Sequence, residues 1–123
     1  MAPGLRAQET WTVTEAMVTR HVGGRGVLST PHMIGMMEDT AAAATKPFLP
    51  DDYTTVGYEV WVRHRAATPP GMRVTVTAQL LEVDGRRLHF RVEARNEREL
   101  IGEGTHRRTI VPVGALGNRA GEA

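Results

Sequence analysis

The segment Thr30–Thr45, "TPHMIGMMEDTAAAAT", is the feature that most constrains the fold of this chain. Thr30 followed by Pro31 predicts a helix start, with the threonine at the N-cap and proline at the first helical position, where its missing N–H costs nothing. Methionine and alanine favour the helix, and Lys46-Pro47 predicts its end because a residue before proline avoids the α region. The predicted helix has no polar side, which is typical of a helix buried on all sides.

One strand is predicted before this helix and four after it. Turn signals at Thr68–Gly71 and at Asp84-Gly85 indicate that the later strands are antiparallel neighbours. The predicted strands are Thr10–Thr19, Thr54–Ala67, Arg73–Val83, Arg86–Asn96 and Leu100–Val113. The fold class is therefore α+β, with one helix packed on a five-stranded antiparallel sheet. Since one sheet can cover only part of an apolar helix, we expect a second copy of the chain to cover the rest.

Alternation along the strands predicts which side chains share a face. In the strand Thr54–Ala67 the even positions form the more apolar face, and His64 is among them. In the strand Arg86–Asn96 the residues expected to point inward are Leu88, Phe90, Val92 and Ala94.

Composition sets broad limits on function. The 123 residues suit a single domain covering 1–123, and the ends, 1–7 and 114–123, are rich in Gly, Ala and charge and are expected to be flexible tails. A formal net charge of +1 gives no reason to expect nucleic acid or a membrane surface as a partner. The absence of cysteine excludes disulfides, thiolate metal sites and a cysteine nucleophile. With no secretory signal and no long apolar run, we expect a cytoplasmic protein.

Several motifs carry a resemblance to a known family. The stretches "STPHMIGMMED", "AATPPGMRVTVTAQL", "VDGRRL" and "GEGTH" are similar to those of the fluoroacetyl-CoA thioesterases, which have the hot-dog fold. The resemblance runs from the loop before the helix through the last strand. It implies hydrolysis of an acyl-CoA thioester by a homodimer, with no metal or other cofactor.

The resemblance also implies site residues. Its catalytic threonine, glutamate and histidine match Thr30, Glu38 and His64, and a glycine near the acyl group matches Gly57. The family's fluoroacetyl-specific member has phenylalanines in the loop before the threonine, whereas "HVGGRGVLST" contains no aromatic residue. His32 and Asp39 also differ from the aromatic residues expected there, so we expect thioester chemistry without the fluorinated substrate.

Each residue also has a structural interpretation. Glu38 has Ile34, Ala41 and Ala42 as helical neighbours, and burying an unpaired carboxylate among them is costly. We therefore expect Glu38 to have a charged or hydrogen-bonding partner, or a function that explains its position. It could activate water or attack the carbonyl, and the sequence does not separate these paths. His64 could be a core histidine, or a neutral imidazole that holds water or hydrogen-bonds the carboxylate.

Thr30 could serve only as an N-cap. It lies eight residues, about 12 Å of helix rise, from Glu38, so the two would meet only if the loop folded back, if the helix began later, or across a dimer. The N–H groups of the residues numbered 32 to 34 are candidate oxyanion donors. Asp39 is expected on the helix surface or at an interface.

The remaining charged residues show no pattern of a site. His21, His89 and His106 lack metal-ligand spacing. Six arginines on the late strands could include contacts to CoA phosphates, but a solvated sheet face is the favoured interpretation for each of them, namely Arg86, Arg87, Arg91, Arg95, Arg107 and Arg108.

These features favour an acyl-CoA thioesterase acting on a small or medium acyl group. One rival is a non-catalytic acyl-CoA or small-ligand binding protein on the same fold. A second is a dehydratase or hydratase, which is less consistent with the sequence because no histidine follows Asp39 within two helical turns.

Overall fold

The computed structural model describes residues 1–121 and contains one long helix against one large sheet. The strands are β1 (Arg6–Thr12), β2 (Val18–Thr19), β3 (Val27–Leu28), β4 (Tyr53–His64), β5 (Arg73–Asp84), β6 (Arg87–Asn96) and β7 (Leu100–Pro112). The helices are α1 (Thr30–Thr45) and α2 (Ala115–Gly121), and short 3-10 turns cover Glu15–Met17 and Lys46–Phe48. No helix among the described residues has the length and hydropathy needed to cross a membrane.

The main sheet is antiparallel, in the order β1-β5-β6-β7-β4. The predicted hairpin between β5 and β6 is confirmed: Asp84 pairs with Arg87, and Gly85 takes a positive φ of 59° in the two-residue turn. Because β4 pairs only with β7 among the described strands, it forms one edge of the sheet.

The core lies between α1 and one face of this sheet. The helix buries a stripe of side chains at helical spacing that includes Met33, Met37, Ala41 and Ala44. Opposite them, the four β6 residues predicted to point inward, Leu88, Phe90, Val92 and Ala94, are all fully buried. The α+β architecture of one helix on a five-stranded antiparallel sheet is therefore confirmed.

The chain ends and the first strand differ from the prediction. The strand expected over Thr10–Thr19 is β1 followed by a 3-10 turn and the short β2, which pairs with β3 as a separate two-stranded sheet. Flexible tails at 1–7 and 114–123 stay a prediction, although residues 6 and 7 belong to β1 and most of the second segment is helical. Residues 122 and 123 lie outside the described part of the chain.

A bulge in β4 changes which of its side chains face the helix. Gly57 pairs with Arg108 and Glu59 with Arg107, so β4 carries one extra residue at this point. Strict alternation would have put Gly57 and His64 on opposite faces. After the extra residue, Val60, Val62 and His64 lie on the same face as Gly57, and the predicted face of even-numbered residues is wrong before the bulge.

Candidate active site

The first half of the site is a contact between Thr30 and His64. Ser29, not Thr30, is the N-cap of α1, because its Oγ accepts the backbone N–H of His32 at 3.2 Å. The predicted cap is therefore wrong by one residue. Thr30 becomes the first helical residue, and its Oγ1 lies 2.8 Å from Nδ1 of His64 at the end of β4.

The other ring nitrogen of His64 has no protein partner. Nε2 is buried and makes no hydrogen bond within the described residues. Burial lowers the pKa of His64 below its ordinary value, which favours the neutral ring at physiological pH. A neutral imidazole bound to a hydroxyl through Nδ1 and with Nε2 free can donate or accept one further hydrogen bond, depending on the tautomer.

A surface pocket of about 330 Å³ lies at this contact. Thr30 and His64 line it, together with the β2–β3 hairpin and the residues that follow β4. On the hairpin side, His21 contributes to the wall and its Nδ1 lies 2.6 Å from Oγ1 of Thr19. The Thr30–His64 pair is therefore accessible to a ligand from outside the protein.

The second half of the site places Glu38 against Gly57. A Cβ built on Gly57 would lie 3.3 Å from Oε2 of Glu38 and 2.7 Å from Cε1 of His106. Only glycine leaves this space open, so the backbone of β4 approaches the carboxylate closely. The Glu38 side chain is 41% exposed, and this acid in an otherwise apolar helix is therefore accessible to both solvent and a ligand.

Two residues that were not predicted complete this half. Arg108 is only 7% exposed, so its expected position on a solvated face is wrong, and its Nη1 lies 4.0 Å from Oε2 of Glu38. Its neighbour on the same face is His106, which is 1% exposed. The signal was present in the sequence: β7 pairs with β6, and alternation puts His106 and Arg108 opposite the inward-facing Phe90 and Leu88.

Within one chain the two halves lie apart. Gly57 and His64 are separated by seven residues of strand, which corresponds to about 23 Å at roughly 3.3 Å per residue. Glu38 lies beside Gly57, whereas Thr30 lies beside His64. The structure thus brings together Thr30 with His64, and Glu38 with Gly57, but not His64 with Glu38 of the same chain.

Other predicted features have simpler roles. The N–H groups of His32 and Met33 bond to Oγ and O of Ser29, so these two are not free oxyanion donors. Asp39 is exposed on α1, as expected of a surface acid.

A larger pocket of about 500 Å³, between the C-terminal part of α1 and the start of β4, includes none of Thr30, Glu38, Gly57 and His64. Among the described residues, no three His, Asp or Glu side chains converge as they would around a metal ion.

The fold defines a class, the hot-dog proteins. A hot-dog-like protein from Thermanaerovibrio acidaminovorans has the same fold, with a TM-score of 0.87 at 21% identity, covering 98% of this chain and 90% of the other. The chain belongs to the family of fluoroacetyl-CoA-specific thioesterases, whose family model matches residues 9–114. The family resemblance predicted from the sequence is confirmed.

Two members of this family show how far the similarity extends. A fluoroacetyl-CoA thioesterase from Streptantibioticus cattleyicolor is 45% identical over 85 residues, which cover 69% of this chain and 61% of the relative. The matched region therefore spans less than two thirds of that protein. A solved structure of the fluoroacetyl-CoA thioesterase FlK superposes with a TM-score of 0.93 at 34% identity, covering 99% of this chain and 96% of FlK.

Proposed function

We propose that this protein is a cytoplasmic acyl-CoA thioesterase that hydrolyses a small or medium acyl-CoA to the free acid and CoA. The observation that carries the proposal is the position of the Glu38 carboxylate. It is accessible to solvent and lies beside Gly57, the one glycine of β4, where the absence of a side chain leaves space for an acyl group. Membership of a thioesterase family supports the same chemistry.

Glu38 is the proposed catalytic residue, either as nucleophile or as general base. In one path its carboxylate oxygen bonds to the acyl carbon, the C–S bond breaks, CoA leaves as thiolate and water then cleaves the mixed anhydride. In the other path Glu38 takes a proton from water, and the resulting hydroxide attacks the carbonyl. Both consume one water and yield one acid and one thiol. Thr30 and His64 would orient the water or the thioester, and Gly57 would admit the acyl group.

We propose a homodimer, because the two half-sites lie apart within one chain and a second chain could bring them together. β4 is an edge strand, and it exposes Tyr58, Val60 and Trp61, with Trp61 at 70%. An unpaired apolar edge is a template for another strand, and two copies of one edge pair antiparallel about a two-fold axis. If that axis passes through Trp61, Val60 lies opposite Val62 of the second copy. The bulged Gly57 then lies opposite its His64, which joins Glu38 of one chain to Thr30 and His64 of the other.

The substrate pocket is expected to differ from that of fluoroacetyl-specific enzymes. The loop that lines the Thr30–His64 pocket contains Gly23, Gly24 and Gly26, all with positive φ, and no aromatic side chain. Apart from the imidazole of His21, no ring narrows this wall of the pocket. We therefore expect activity on unsubstituted acyl groups of several lengths, with no preference for the fluorinated one.

A panel of acyl-CoA thioesters tests the activity, with a thiol-reactive dye to detect free CoA. The protein should hydrolyse at least one member, and Glu38→Gln should lower kcat by at least about 1,000-fold while the melting temperature is unchanged, because the two side chains are nearly isosteric. Activity of Glu38→Gln within a few-fold of wild type would remove Glu38 from the mechanism. Ligand-induced stabilisation without hydrolysis of any thioester would instead favour a binding protein.

Complementation tests the shared site. As homodimers, Thr30→Val chains are expected to retain at most about a tenth of wild-type activity and Glu38→Gln chains at most about a thousandth. After co-refolding, half of the dimers are mixed, and each mixed dimer has one site with both changes and one intact site, so about a quarter of wild-type activity should return. If each site lay within a single chain, mixing would restore nothing. Trp61→Glu should give monomers by sedimentation and no activity.

A further inference from the structure

The segment after β4, residues 65–68, links the two parts of the chain that carry His64 and Thr30. Thr68 is fully buried, and its carbonyl accepts the backbone N–H of Leu28 at 2.8 Å. Leu28 comes two residues before Thr30, and Thr68 comes four residues after His64. The spacing of these two backbone pieces therefore bears directly on the 2.8 Å contact between Oγ1 of Thr30 and Nδ1 of His64.

Asn96, the last residue of β6, holds this segment through its side-chain amide. Its Nδ2 donates to Oγ1 of Thr68 at 3.1 Å and to the carbonyl oxygen of Ala67 at 3.4 Å. Its Oδ1 accepts the backbone N–H groups of Arg98 and Glu99, at 2.8 and 2.9 Å, in the turn that leads into β7. Both ends of the amide are used, and the partners determine which end is oxygen, because N–H groups need an acceptor and a carbonyl needs a donor.

The two halves of the segment are held by different parts of the sheet. The N–H groups of Arg65 and Ala66 both point to the carbonyl of Ile101, at 2.6 and 3.3 Å, and tie the first half to β7. In the second half, the Ala67 carbonyl and the Thr68 hydroxyl have Asn96 as their only hydrogen-bond partner among residues 1–121. The position of the second half therefore depends on this one amide and on the backbone bond to Leu28.

The same segment forms part of the pocket at the Thr30–His64 contact. Ala66, Ala67 and Leu28 all line that pocket, whereas Asn96 does not. Movement of the segment away from Leu28 would widen the pocket and lengthen the contact between hydroxyl and imidazole. Because hydrogen bonds of a hydroxyl weaken when the two atoms are more than about 3.0 Å apart, a shift of a few tenths of an ångström is enough to weaken this one.

We propose that Asn96 is a positioning residue for the Thr30–His64 half of the site, and that it acts through its hydrogen bonds to Ala67 and Thr68. It rests on the proposed function, because Thr30 and His64 act on a thioester only there. Asn96 itself contacts neither of these two residues, so its effect on turnover passes through the segment 65–68.

The main test compares Thr68→Val with Thr45→Val. Both threonines are fully buried, and Oγ1 of Thr45 donates to the carbonyl of Ala42 at 2.9 Å at the C-terminal end of α1, so Thr45→Val is a matched control. We expect Thr68→Val to lower kcat about ten-fold, less than the roughly 100-fold that a misplacement of about 1 Å costs, and to change KM less than kcat. Thr68→Ser keeps the hydroxyl and should restore most of kcat. Thr45→Val should lower the melting temperature by a similar amount and leave kcat unchanged.

An NMR titration of the His64 imidazole tests the arrangement without any substrate. Burial is the main cause that lowers the pKa of His64 below its ordinary value. A segment that moves away exposes the ring to water, so the pKa should rise toward the ordinary value in Thr68→Val and in Asn96→Ala. Thr45→Val should leave the pKa of His64 unchanged.

The other charged groups near His64 are the same in all of these variants. His21 from the β2–β3 hairpin and Arg65 line the pocket with His64, and Arg65 pairs with Glu103 of β7 at 3.0 Å. Because none of these three is replaced, a change in the pKa of His64 reports its exposure and not a lost charge.

Two further variants test whether Asn96 and Thr68 act as one unit. Asn96→Asp keeps an acceptor for the turn but has no N–H for the Ala67 carbonyl, so it should fold and lower kcat several-fold. The double variant of Asn96→Ala and Thr68→Val should have a kcat within about two-fold of Asn96→Ala alone, because both changes remove the same link. A kcat reduced by the product of the two single effects would contradict the link.

Failure of the inference is distinguishable from failure of the proposed function. Wild-type protein that hydrolyses no acyl-CoA contradicts the proposed function, whereas the titration of His64 still tests the positioning. Active wild type, with folded Thr68→Val unchanged both in kcat and in the pKa of His64, contradicts the positioning role alone. An equal loss of kcat in Thr68→Val and Thr45→Val would assign the effect to stability and would also contradict it. If Thr68→Val does not fold, Asn96→Asp is compared with Thr45→Val in the same two measurements.

Discussion

Gly57→Ala is the substitution whose effect follows most directly from the geometry. The added Cβ would lie 2.7 Å from Cε1 of His106, whereas ordinary contacts begin at 3.4 Å. His106 must therefore retreat by about 0.7 Å. The ring is not free to do so, because Nδ1 bonds to the Glu59 carbonyl and Nε2 to Arg108. The methyl group also comes within 3.3 Å of Nη1 of Arg108 and of Oε2 of Glu38, so both must shift as well.

The expected cost has a stability part and a larger catalytic part. Overpacking of a well-ordered site costs about 1–3 kcal/mol, which for a domain of this size lowers the melting temperature by about 4–12 °C. The methyl group would also occupy the space beside Oε2 of Glu38 that the proposed acyl group enters, and a misplaced substrate costs about 100-fold in rate. The catalytic loss should therefore remain at temperatures where the variant is fully folded, and kcat should fall more than KM rises.

Gly35→Ala on α1 is the matched control, because a Cβ there meets no atom within 4 Å. Alanine is the better helix former, so this variant should be stabilised by about 0.5–1 kcal/mol. CoA release and thermal unfolding are measured for both variants. A Gly57→Ala protein with kcat within three-fold of wild type would show that the close approach of β4 to Glu38 does not matter for turnover.

Other changes separate the structural and catalytic roles of neighbouring residues. Ser29→Ala removes the side-chain cap of α1 and should cost about 1 kcal/mol of folding free energy with little effect on kcat; a thermal melt and a rate measurement check both. Thr30→Val should lower kcat about 10- to 100-fold with a smaller effect on melting, and Thr30→Ser should restore most of the activity because it keeps the hydroxyl that meets His64; equal rates for Val and Ser would contradict this. Burial lowers the pKa of His64 and His106, so below about pH 6.5 the unfolded chain binds more protons than the folded one. The free energy of unfolding should therefore be highest above pH 6.5 and fall as the pH drops toward 5, and His106→Gln should weaken that dependence; a melting temperature that rises on acidification would contradict the sign.

The parts of the fold that the sequence predicted are those set by local signals. Pro31 near the start and Pro47 after the end bracket α1, and the observed helix, Thr30–Thr45, agrees with them. Asp84-Gly85 fixes the β5–β6 hairpin, and with it the register that buries Leu88 and Phe90. In each case one or two residues with restricted backbone angles determine where the element begins or ends. The regular spacing of apolar residues then determines which side chains along the element are buried.

The features that the sequence did not predict are those for which two neighbouring residues suit the same position about equally well. Ser29 and Thr30 are both good caps, and only the path of the preceding loop, fixed by the bond from Ser29 N–H to the Met17 carbonyl, places the serine first. The consequence bears on the proposed site, because the hydroxyl of Thr30, which does not cap the helix, meets Nδ1 of His64 instead. Similarly, Arg107 and Arg108 are identical in type, and only the pairing of β7 with β6 sends one outward and the other to Glu38.

The bulge at Gly57 shows why period alone could not assemble the site. A regular strand alternates faces, so Gly57 and His64, seven residues apart, would project to opposite sides of the sheet. One extra residue between Gly57 and Glu59 puts Gly57 and His64 on the same, helix-facing side of the sheet. There Gly57 lies beside Glu38 and His64 contacts Thr30, at separate points along α1. Glycine within a strand often marks a bulge or a close backbone approach, and here one residue does both. Its lack of a side chain admits the carboxylate, and the bulge beside it decides that His64 faces the same helix.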